Sequence, residues 1–481
     1  MSELVAIILA AGKGTRMRSK YPKVLHKVGG KPMLQHVIDA ASAAGADKKV
    51  VIVGHEAELV EAMVGNQGTI ALQAEQLGTG HAVMQTADAL KDFHGTALIL
   101  CGDTPLLDGE ELKKFCEAHQ ESGAAATVLT AIMDDPFGYG RIVRDANGNV
   151  QGIVEQKDAT EEQKAIKEIN TGIYCMECPQ MFDVLATLTN DNAQGEYYLT
   201  DVLQKLNEAG AKVGGISTAD SDMVMGINSR KQLSVAEGVM RQRILDKLMD
   251  AGVTIMDPAS TFIEASVKIG RDTVIYPYTW LEGSTEIGED CEIGPNARFT
   301  NVKIGDDNHL QFIYGHDCEV KNHVTAGPYV HLRPDTVISD HVKIGNYVEV
   351  KNSNVGEGTK LPHLTYIGDS DIGSGVNMGC GCITVNYDGK KKHRTVIGDN
   401  AFVGCNTNLV APVTVQANTY IGAGSTITKE VPENALGIAR ARQKNIEGWA
   451  EKYRNEGKLA FIVTYVSKSL QKTCDLRVFC V

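Results

Sequence analysis

The chain has 481 residues, 43% of them hydrophobic and 22% charged, with a net charge of -13 at pH 7. That length exceeds what one core supports, so two or three domains are expected, and the acidic balance argues against nonspecific nucleic-acid binding and leaves anionic ligands to local cations. No apolar run approaches the roughly 20 residues that span a bilayer, the segment Leu4 to Ala11 lacks the basic flank of a secretion signal, and the 11 cysteines read as reduced thiols, so a cytoplasmic protein is expected.

From residue 1 to about 225, short apolar runs (Leu4 to Leu9, Val50 to Val53, Ala97 to Leu100, Ala125 to Leu129, Gly152 to Val154) alternate with helical patterns, which predicts an α/β domain with a largely parallel sheet. The first run continues into Leu-Ala-Ala-Gly-Lys-Gly-Thr-Arg-Met at 9 to 17. There Gly12 and Gly14 let backbone N–H groups approach a polyphosphate, and Lys13 and Arg16 offset charge that develops on it. Neither the GxxxxGK[ST] nor the GxGxxG spacing is present, and a glycine turn of this kind also serves as a plain strand-to-helix connection. Asp103 follows the run Ala97 to Leu100, at the carboxyl end where ligands of such sheets bind. Cys175 and Cys178 form a CxxC pair with no second pair at zinc-finger spacing. Between Ser229 and about Asp250 a stretch rich in Gln, Arg, Glu, Leu and Met predicts a connecting helix.

Beyond residue 252 the pattern changes. An aliphatic residue followed by glycine recurs at Ile269-Gly270, Ile287-Gly288, Ile293-Gly294, Ile304-Gly305, Ile344-Gly345, Ile397-Gly398, Val403-Gly404 and Ile421-Gly422, with several intervals of 6 and 18 residues. Six residues per face and about eighteen per coil predict a parallel β-helix, the aliphatic residue pointing inward and the small one permitting the corner. Flat outer faces of such a prism suit self-association. The repeat breaks between Val376 and Thr395, where Asn386-Tyr387-Asp388-Gly389 precedes Lys390, Lys391 and Lys392; loops expelled from a solenoid commonly bind ligands, and the plainer reading is a solvated basic loop.

With PKVLH at 22 to 26, QAEQLGTGHA at 73 to 82, GDTPL at 102 to 106, GYGRI at 138 to 142, EINTGIY at 168 to 174, NAQGEYYLTD at 192 to 201, HLTYIGD at 363 to 369 and NYDG at 386 to 389, the chain resembles the GlmU family over roughly residues 3 to 448. These are bacterial enzymes that acetylate glucosamine 1-phosphate and then join UMP to the product, supplying peptidoglycan and lipopolysaccharide precursors. The resemblance implies an α/β nucleotidyltransferase (Rossmann-like) domain at 1–228, a linker helix at 229–250, a left-handed parallel β-helix of hexapeptide repeats at 251–448, and an unassigned tail at 449–481. It also implies a homotrimer with the acetyltransferase site between subunits.

For the first domain it implies uridylyl transfer from UTP, catalysed by positioning and charge neutralisation because the sugar phosphate is already an anion. Leu9, Ala10, Ala11, Gly12, Lys23, Gln73, Gly78 and Thr79 would hold the uridine nucleotide, Lys13 and Arg16 the phosphates, and Gly140, Glu155 and Asn170 the sugar. Asp103 and Asn228 would hold Mg²⁺ through hard oxygen donors. For the second domain it implies acetyl transfer from acetyl-CoA. A protonated amine cannot attack a thioester, so a base near neutrality is needed, and His363 fits. Arg333, Lys351, Tyr366, Asn377 and Lys392 would bind glucosamine 1-phosphate; Cys380, Asn386, Tyr387, Cys405, Ala423 and Arg440 would bind acetyl-CoA. Three departures stand out. Leu361-Pro362 replaces the family's usual Ala-Gly ahead of His363, where proline removes a donor and is expected to shift the loop that carries the base. Cys380, Cys382 and Cys405 stand where smaller residues are usual and are expected mainly to pack. Residues 455 to 481 have no functional reading. A nucleotidyltransferase whose β-helix only assembles the oligomer, and a noncatalytic regulatory subunit, are the rival readings; the second requires a dismantled first site, whereas Lys13, Arg16, Lys23, Asp103 and Asn228 are all present.

Overall fold

A nine-stranded sheet organises the first half. Its strands are β1 (Leu4–Leu9), β2 (Lys48–Val53), β3 (Thr69–Leu72), β4 (Thr96–Cys101), β5 (Ala126–Ile132), β6 (Arg141–Arg144), β7 (Val150–Val154), β8 (Glu168–Glu177) and β9 (Val213–Thr218), in a computed structural model that describes residues 3–455. The order is β9-β5-β8-β4-β1-β2-β3, parallel except for β8, which runs antiparallel to both neighbours, and β6 and β7 form a hairpin off β8. The central strand shows why the apolar run at Leu4 to Leu9 is continuous rather than alternating: Ala6 and Ile8 enter one core and Val5 and Ile7 the other. Helices α1 (Met33–Ala43), α2 (Ala57–Val64) and α4 (Gly109–Ser122) cover the first face; α3 (Thr79–Met84), α5 (Cys178–Leu185) and α6 (Asp201–Glu208) cover the second. Strand order reverses between β1 and β4, and such a switch point opens a crevice beyond the carboxyl ends of the two strands.

Helix α7 (Arg230–Asp250) joins the two halves and is capped by Ser229, whose hydroxyl accepts from Gln232 N. Leu233, Val239 and Met240 pack beside Val28, Met33 and Leu106 of the first half, while Ile244, Leu248 and Met249 pack on the core of the second. The hairpin at Lys27–Val28 and Lys31–Pro32 is caught against this helix: Gly29 N donates to Glu237 at 2.9 Å, and a Cβ on Gly29 would stand 2.8 Å from Met240 Cγ. Arg241 lies 4.8 Å over the ring of Phe262, which stacks on Trp280 at 4.0 Å.

From Thr254 the chain winds as a parallel β-helix with three ladders, running through Ile255–Ile275–Ile293, Ile263–Leu281–Phe299 and Ile269–Ile287–Ile304 in the first coils. Inward aliphatic residues of all three ladders form one continuous core. Coil lengths vary: Ile269 aligns with Ile287, Ile304 with Val320, and Ile372 with Ile397, steps of 18, 16 and 25 residues. The longest step contains the expelled loop expected between Val376 and Thr395. The glycine of the repeat has a different role from the one expected. Left-handed corners fall on polar residues further along, such as Asp272, Asp290, Asp307, Asn400 and Asn406, with φ between 53 and 61°. Apart from Gly294, which adopts φ 98°, the repeat glycines are instead where one coil lies directly on the next. A Cβ on Gly404 would come within 2.5 Å of Ala423 N, and one on Gly345 would overlap the carbonyl oxygen of Pro362. Leu361 points into the core opposite Ile344, and the strand Lys360–Gly368 keeps its ladder pairing through Pro362, so the proline does not displace the residue after it.

Among the described residues no helix is long and apolar enough to cross a membrane. The segment expected as a tail begins with a helix at Trp449–Asn455, and the rest of it lies outside the described residues.

The two kinds of glycine make opposite predictions. Gly345→Ala should destabilise the β-helix by about 1–3 kcal/mol through overpacking. Gly238→Ala, in α7 with nothing within 4 Å of the added carbon, should stabilise by about 0.5–1 kcal/mol. Urea unfolding of both variants decides the matter; an unchanged midpoint for Gly345→Ala would refute the coil-contact explanation.

Candidate active sites

The switch-point crevice is a cavity of about 290 Å³ lined by Leu9, Ala10, Ala11, Gly12, Lys23, Gln73, Gly78 and Thr79, the eight residues expected at the uridine nucleotide, and by Asp103, expected at the metal. Its walls are stitched from distant segments. Gly102 N donates to Leu9 O and Ala10 N to Ile52 O, which ties the glycine turn to the ends of β4 and β2. Gln73, 3% exposed, donates from Nε2 to Gly78 O at 3.1 Å, and Thr79 Oγ1 accepts from Leu199 N at 3.1 Å. Gly78 adopts φ 110°, and a side chain there would strike Tyr197 of the NAQGEYY segment. Lys13 and Arg16 are exposed beside the cleft and form no ion pair among the described residues, so both remain available to an anion.

Asp103 and Asn228 converge on one point. Lys23 Nζ forms an ion pair with Asp103 and donates to Asn228 Oδ1 at 2.9 Å, while Ile227 N donates to Asp103 O and closes the two segments on each other. A carboxylate and an amide oxygen that already face a shared cation are a donor set that fits Mg²⁺. The residues expected at the sugar form an adjoining wall: Asn170 N donates to Gly140 O, Asn170 Oδ1 accepts from Tyr174 OH at 3.0 Å, and a Cβ on Gly140 would lie 3.5 Å from Glu155 Oε1. Burial, reinforced by Asp158, Asp201 and Glu196, raises the pKa of Glu155 above the usual carboxyl range. Cys101, Gln76 and Glu196 also line the cleft; Gln76 and Glu196 lie inside the QAEQLGTGHA and NAQGEYYLTD motifs without an assigned role, Cys101 lies outside every motif, and burial pushes the Cys101 thiol up to about 12. Cys175 and Cys178 lie in the core, where Cys175 Sγ is 3.6 Å from Cys116 Sγ. A larger cavity of about 620 Å³ lies at the opposite end of β1 and β2, between Lys48, Asp92, Lys113 and Glu117, away from all of the motifs.

The second constellation is built by coil register. His363 stands directly above Asn346, and its Nδ1 lies 2.8 Å from Asn346 Oδ1. Above it come Cys380, then Cys405, then Ala423: Gly381 N donates to His363 O, Asn406 N to Cys380 O, and Gly424 N to Cys405 O. Arg440 closes the column with Nη1 2.6 Å from Ala423 O. Three inter-strand steps of about 4.8 Å carry this edge roughly 14 Å from His363 to Ala423, long enough for an extended ligand to lie along it. Only Cys382 of the three cysteines packs inward; Cys380 is half-buried and Cys405 exposed, so their expected packing role holds for one of them.

Beside that column, three cations crowd together. The Lys351 ammonium is lowered in pKa by contact with Lys392, by burial and by Arg333, while Asp369 opposes the shift. Arg333 pairs with Glu349 at 2.7 Å, and Glu349 aligns with Tyr366 on the next coil. The expelled loop is ordered by its own contacts. Tyr387 bridges Lys392, His393 N donates to Asn386 O, and Asp388 accepts from Lys391 N, His393 Nε2 and Lys390 N, which hold its carboxyl at about 2. Asn386 donates to Asp369, whose other oxygen accepts from Asn352 at 2.5 Å. Asn377 aligns with Lys360 just before the Cys380 position, and Tyr387 is exposed. Asn346, Glu349 and Asp369 were not singled out by sequence reading; coil register, once known, finds all three.

A glycine-loop cleft at a sheet switch point, followed by a hexapeptide β-helix with a histidine-headed groove, defines a nucleotidyltransferase joined to a hexapeptide-repeat acyltransferase. The nucleotidyl transferase family model matches residues 5–223, and the bacterial transferase hexapeptide (six repeats) model matches residues 394–429. The chain is 55% identical over 459 residues to Bifunctional protein GlmU of Caldanaerobacter subterraneus subsp. tengcongensis, covering 95% of this chain and 100% of that one. Bifunctional protein GlmU of Geobacillus sp. is 54% identical over 94% of this chain and 98% of that one, and that of Clostridioides difficile 51% identical over 93% and 97%. The chain belongs to the GlmU family. The expectation of a bifunctional enzyme of UDP-N-acetylglucosamine synthesis, with a nucleotidyltransferase and a hexapeptide-repeat acetyltransferase in one chain, stands on those matches.

The raised Glu155 gives a pH prediction. Above the ordinary value of 4.5 and up to the raised one, the folded protein holds a proton that the unfolded chain has lost, so ionisation of Glu155 opposes folding as pH rises. Glu155→Gln should therefore raise the melting temperature of the unliganded protein at pH 8 and leave it nearly unchanged at pH 4. A stabilisation of equal size at both pH values would exclude this origin.

Proposed function

We propose that the switch-point cleft joins UMP to N-acetylglucosamine 1-phosphate and that the His363 groove acetylates glucosamine 1-phosphate in the preceding step. The observation that carries the first half is the convergence of Asp103, Asn228 and Lys23 at the mouth of a glycine-lined cavity. In this reading Gln73 and the backbone near Gly78 recognise uracil, Lys13 and Arg16 neutralise the triphosphate, and Gly140, Glu155 and Asn170 orient the sugar. Mg²⁺ held by Asp103 and Asn228 would screen phosphate from phosphate. A sugar-phosphate oxygen then bonds to the α-phosphorus as the bond to pyrophosphate breaks. Lys23, already paired with Asp103, holds the carboxylate in place until the anionic substrates arrive.

In the second site Arg333, Lys351 and Lys392 bind the sugar phosphate, whose charge relieves their mutual repulsion. Tyr366 and Asn377 orient the sugar, and acetyl-CoA extends along Cys380, Cys405 and Ala423 with Asn386 and Tyr387 at its acetyl end and Arg440 at its phosphates. His363 removes the proton as the amine nitrogen bonds to the thioester carbon, and the coenzyme leaves as thiol. A homotrimer supports this arrangement: Trp280, Tyr314, Tyr329 and Tyr347 are exposed on one flank of the prism, with Arg298 on the coil between Trp280 and Tyr314, and give it an aromatic surface to bury. The cytoplasm, where UTP and acetyl-CoA are available, is the expected compartment.

Asp103→Ala should lower uridylyl transfer at least about 100-fold and leave acetyl transfer within about twofold, and His363→Ala should do the reverse, by the usual size of single electrostatic and acid–base contributions. Assays of pyrophosphate release and of coenzyme A thiol release check this, and chelation of divalent metal should silence the first alone. Loss of both activities in either folded variant would rule out independent sites. Separately, Lys351→Met should raise KM for glucosamine 1-phosphate about tenfold, as removal of one charge-assisted contact of about 1.4 kcal/mol would.

A further inference from the structure

Resting on the reading of His363 as the base, we infer that Asn346 is the positioning residue that gives that histidine its working tautomer. The imidazole must present an unprotonated nitrogen to the amine, and a neutral ring has one such nitrogen and one N–H. Which nitrogen carries the proton is set by the partner of the other. Here Nδ1 faces Asn346 at 2.8 Å, and the atom it meets is the amide oxygen Oδ1, an acceptor. That contact places the proton on Nδ1 and leaves Nε2 as the basic nitrogen, on the side away from the coil below.

The contact is a product of the fold rather than of sequence proximity. Asn346 and His363 are aligned pairwise in adjoining strands, with Val348 on Thr365 and Glu349 on Tyr366 in the same ladder. Gly345, beside Asn346, lets the carbonyl of Pro362 lie directly on the coil beneath, which fixes the height of the strand that carries the histidine. Leu364 follows His363 with φ 48° and is 58% exposed, so the backbone turns outward there and the hydrogen bond to Asn346 is what holds the ring to the coil. Charged or titratable residues at neighbouring register positions are Lys343 and Lys360 on one side, Tyr347 beside Asn346 on the coil below, Glu349 and Tyr366 further along, and Cys380 on the coil above. Among the described residues, Asn346 is the side chain hydrogen bonded to the ring.

Asn346 touches neither proposed substrate, so its loss should act on turnover rather than on binding. Asn346→Leu should lower kcat for acetyl transfer about 10- to 100-fold, the range seen when an orienting partner is removed from a functional histidine, while KM for glucosamine 1-phosphate changes less than about threefold. Asn346→Asp keeps an acceptor at the same place, so it should recover most of kcat; the added negative charge should move the acidic limb of the kcat/KM profile upward in pH. Uridylyl transfer by the same full-length variants reports on folding. A direct reading needs no variant: ¹⁵N spectra of the wild-type protein, with His363→Gln used for assignment, should show the neutral ring protonated at Nδ1. Protonation at Nε2, or a leucine variant with wild-type kcat, overturns the assignment of Asn346. If instead His363→Ala retains acetyl transfer, the reading of the base itself has failed, and the two failures are distinguishable.

Discussion

Direct contact of one backbone coil with the next is the constraint on which the second half of this molecule depends. At most of the repeat positions the backbone of one coil lies where a Cβ of its neighbour would stand, and glycine is placed there for that reason. Because the coils cannot slip, residues sixteen to eighteen positions apart, or 25 where the expelled loop intervenes, become neighbours along straight columns. Asn346, His363, Cys380, Cys405 and Ala423 make one such column. A groove able to hold an extended ligand therefore requires no dedicated loop; it is an edge of the prism with small residues on it. The expelled loop at Asn386 to Arg394 adds what the regular edge cannot, a third cation, Lys392, brought beside Lys351 and Arg333.

In the first half the equivalent constraint is topological. Reversal of strand order beside β1 leaves a crevice, and the glycine turn, the Asp103 segment and the Asn228 segment reach it from three remote parts of the chain. Lys23 joins two of them through its ammonium group. Neutralising Asp103 in this way lowers the cost of placing a carboxylate at the mouth of a half-buried cleft.

Much of this was legible in the sequence. Apolar runs located β1, β2, β4, β5 and β7, and the aliphatic-glycine repeat located the prism and its interruption. The antiparallel strand β8 was not evident, since Glu168 to Glu177 alternates too weakly to show direction, and direction is set by the partners on each side. Most of the repeat glycines serve coil stacking rather than the corner flexibility expected of them, which a sequence, showing spacing and not stacking, does not reveal; many left-handed corners belong to aspartates and asparagines that tolerate that conformation, others to Tyr278, Tyr329 and Tyr347, and among the repeat glycines Gly294 has a positive φ. Coil lengths of 16 and 17 residues broke the simple count of 18, so Asn346 and Glu349 could not be assigned to the columns that they occupy. Motif resemblance singled out residues from remote segments, such as Lys23, Asp103 and Asn228, that the fold brings together, which composition alone could not have done.

The clamp around the first hairpin has a consequence for traffic between the two sites. Gly29 is hydrogen bonded to Glu237, Gly30 is packed against Glu264 of the first coil, and the segment that carries Lys23 runs straight into this hairpin. Rotation of one lobe against the other would have to pull that knot apart. On the reading given above, the acetylated sugar phosphate cannot be handed across by a swinging lobe; it must diffuse through solvent and be recaptured, so flux through the pair depends on how much of it accumulates around the enzyme.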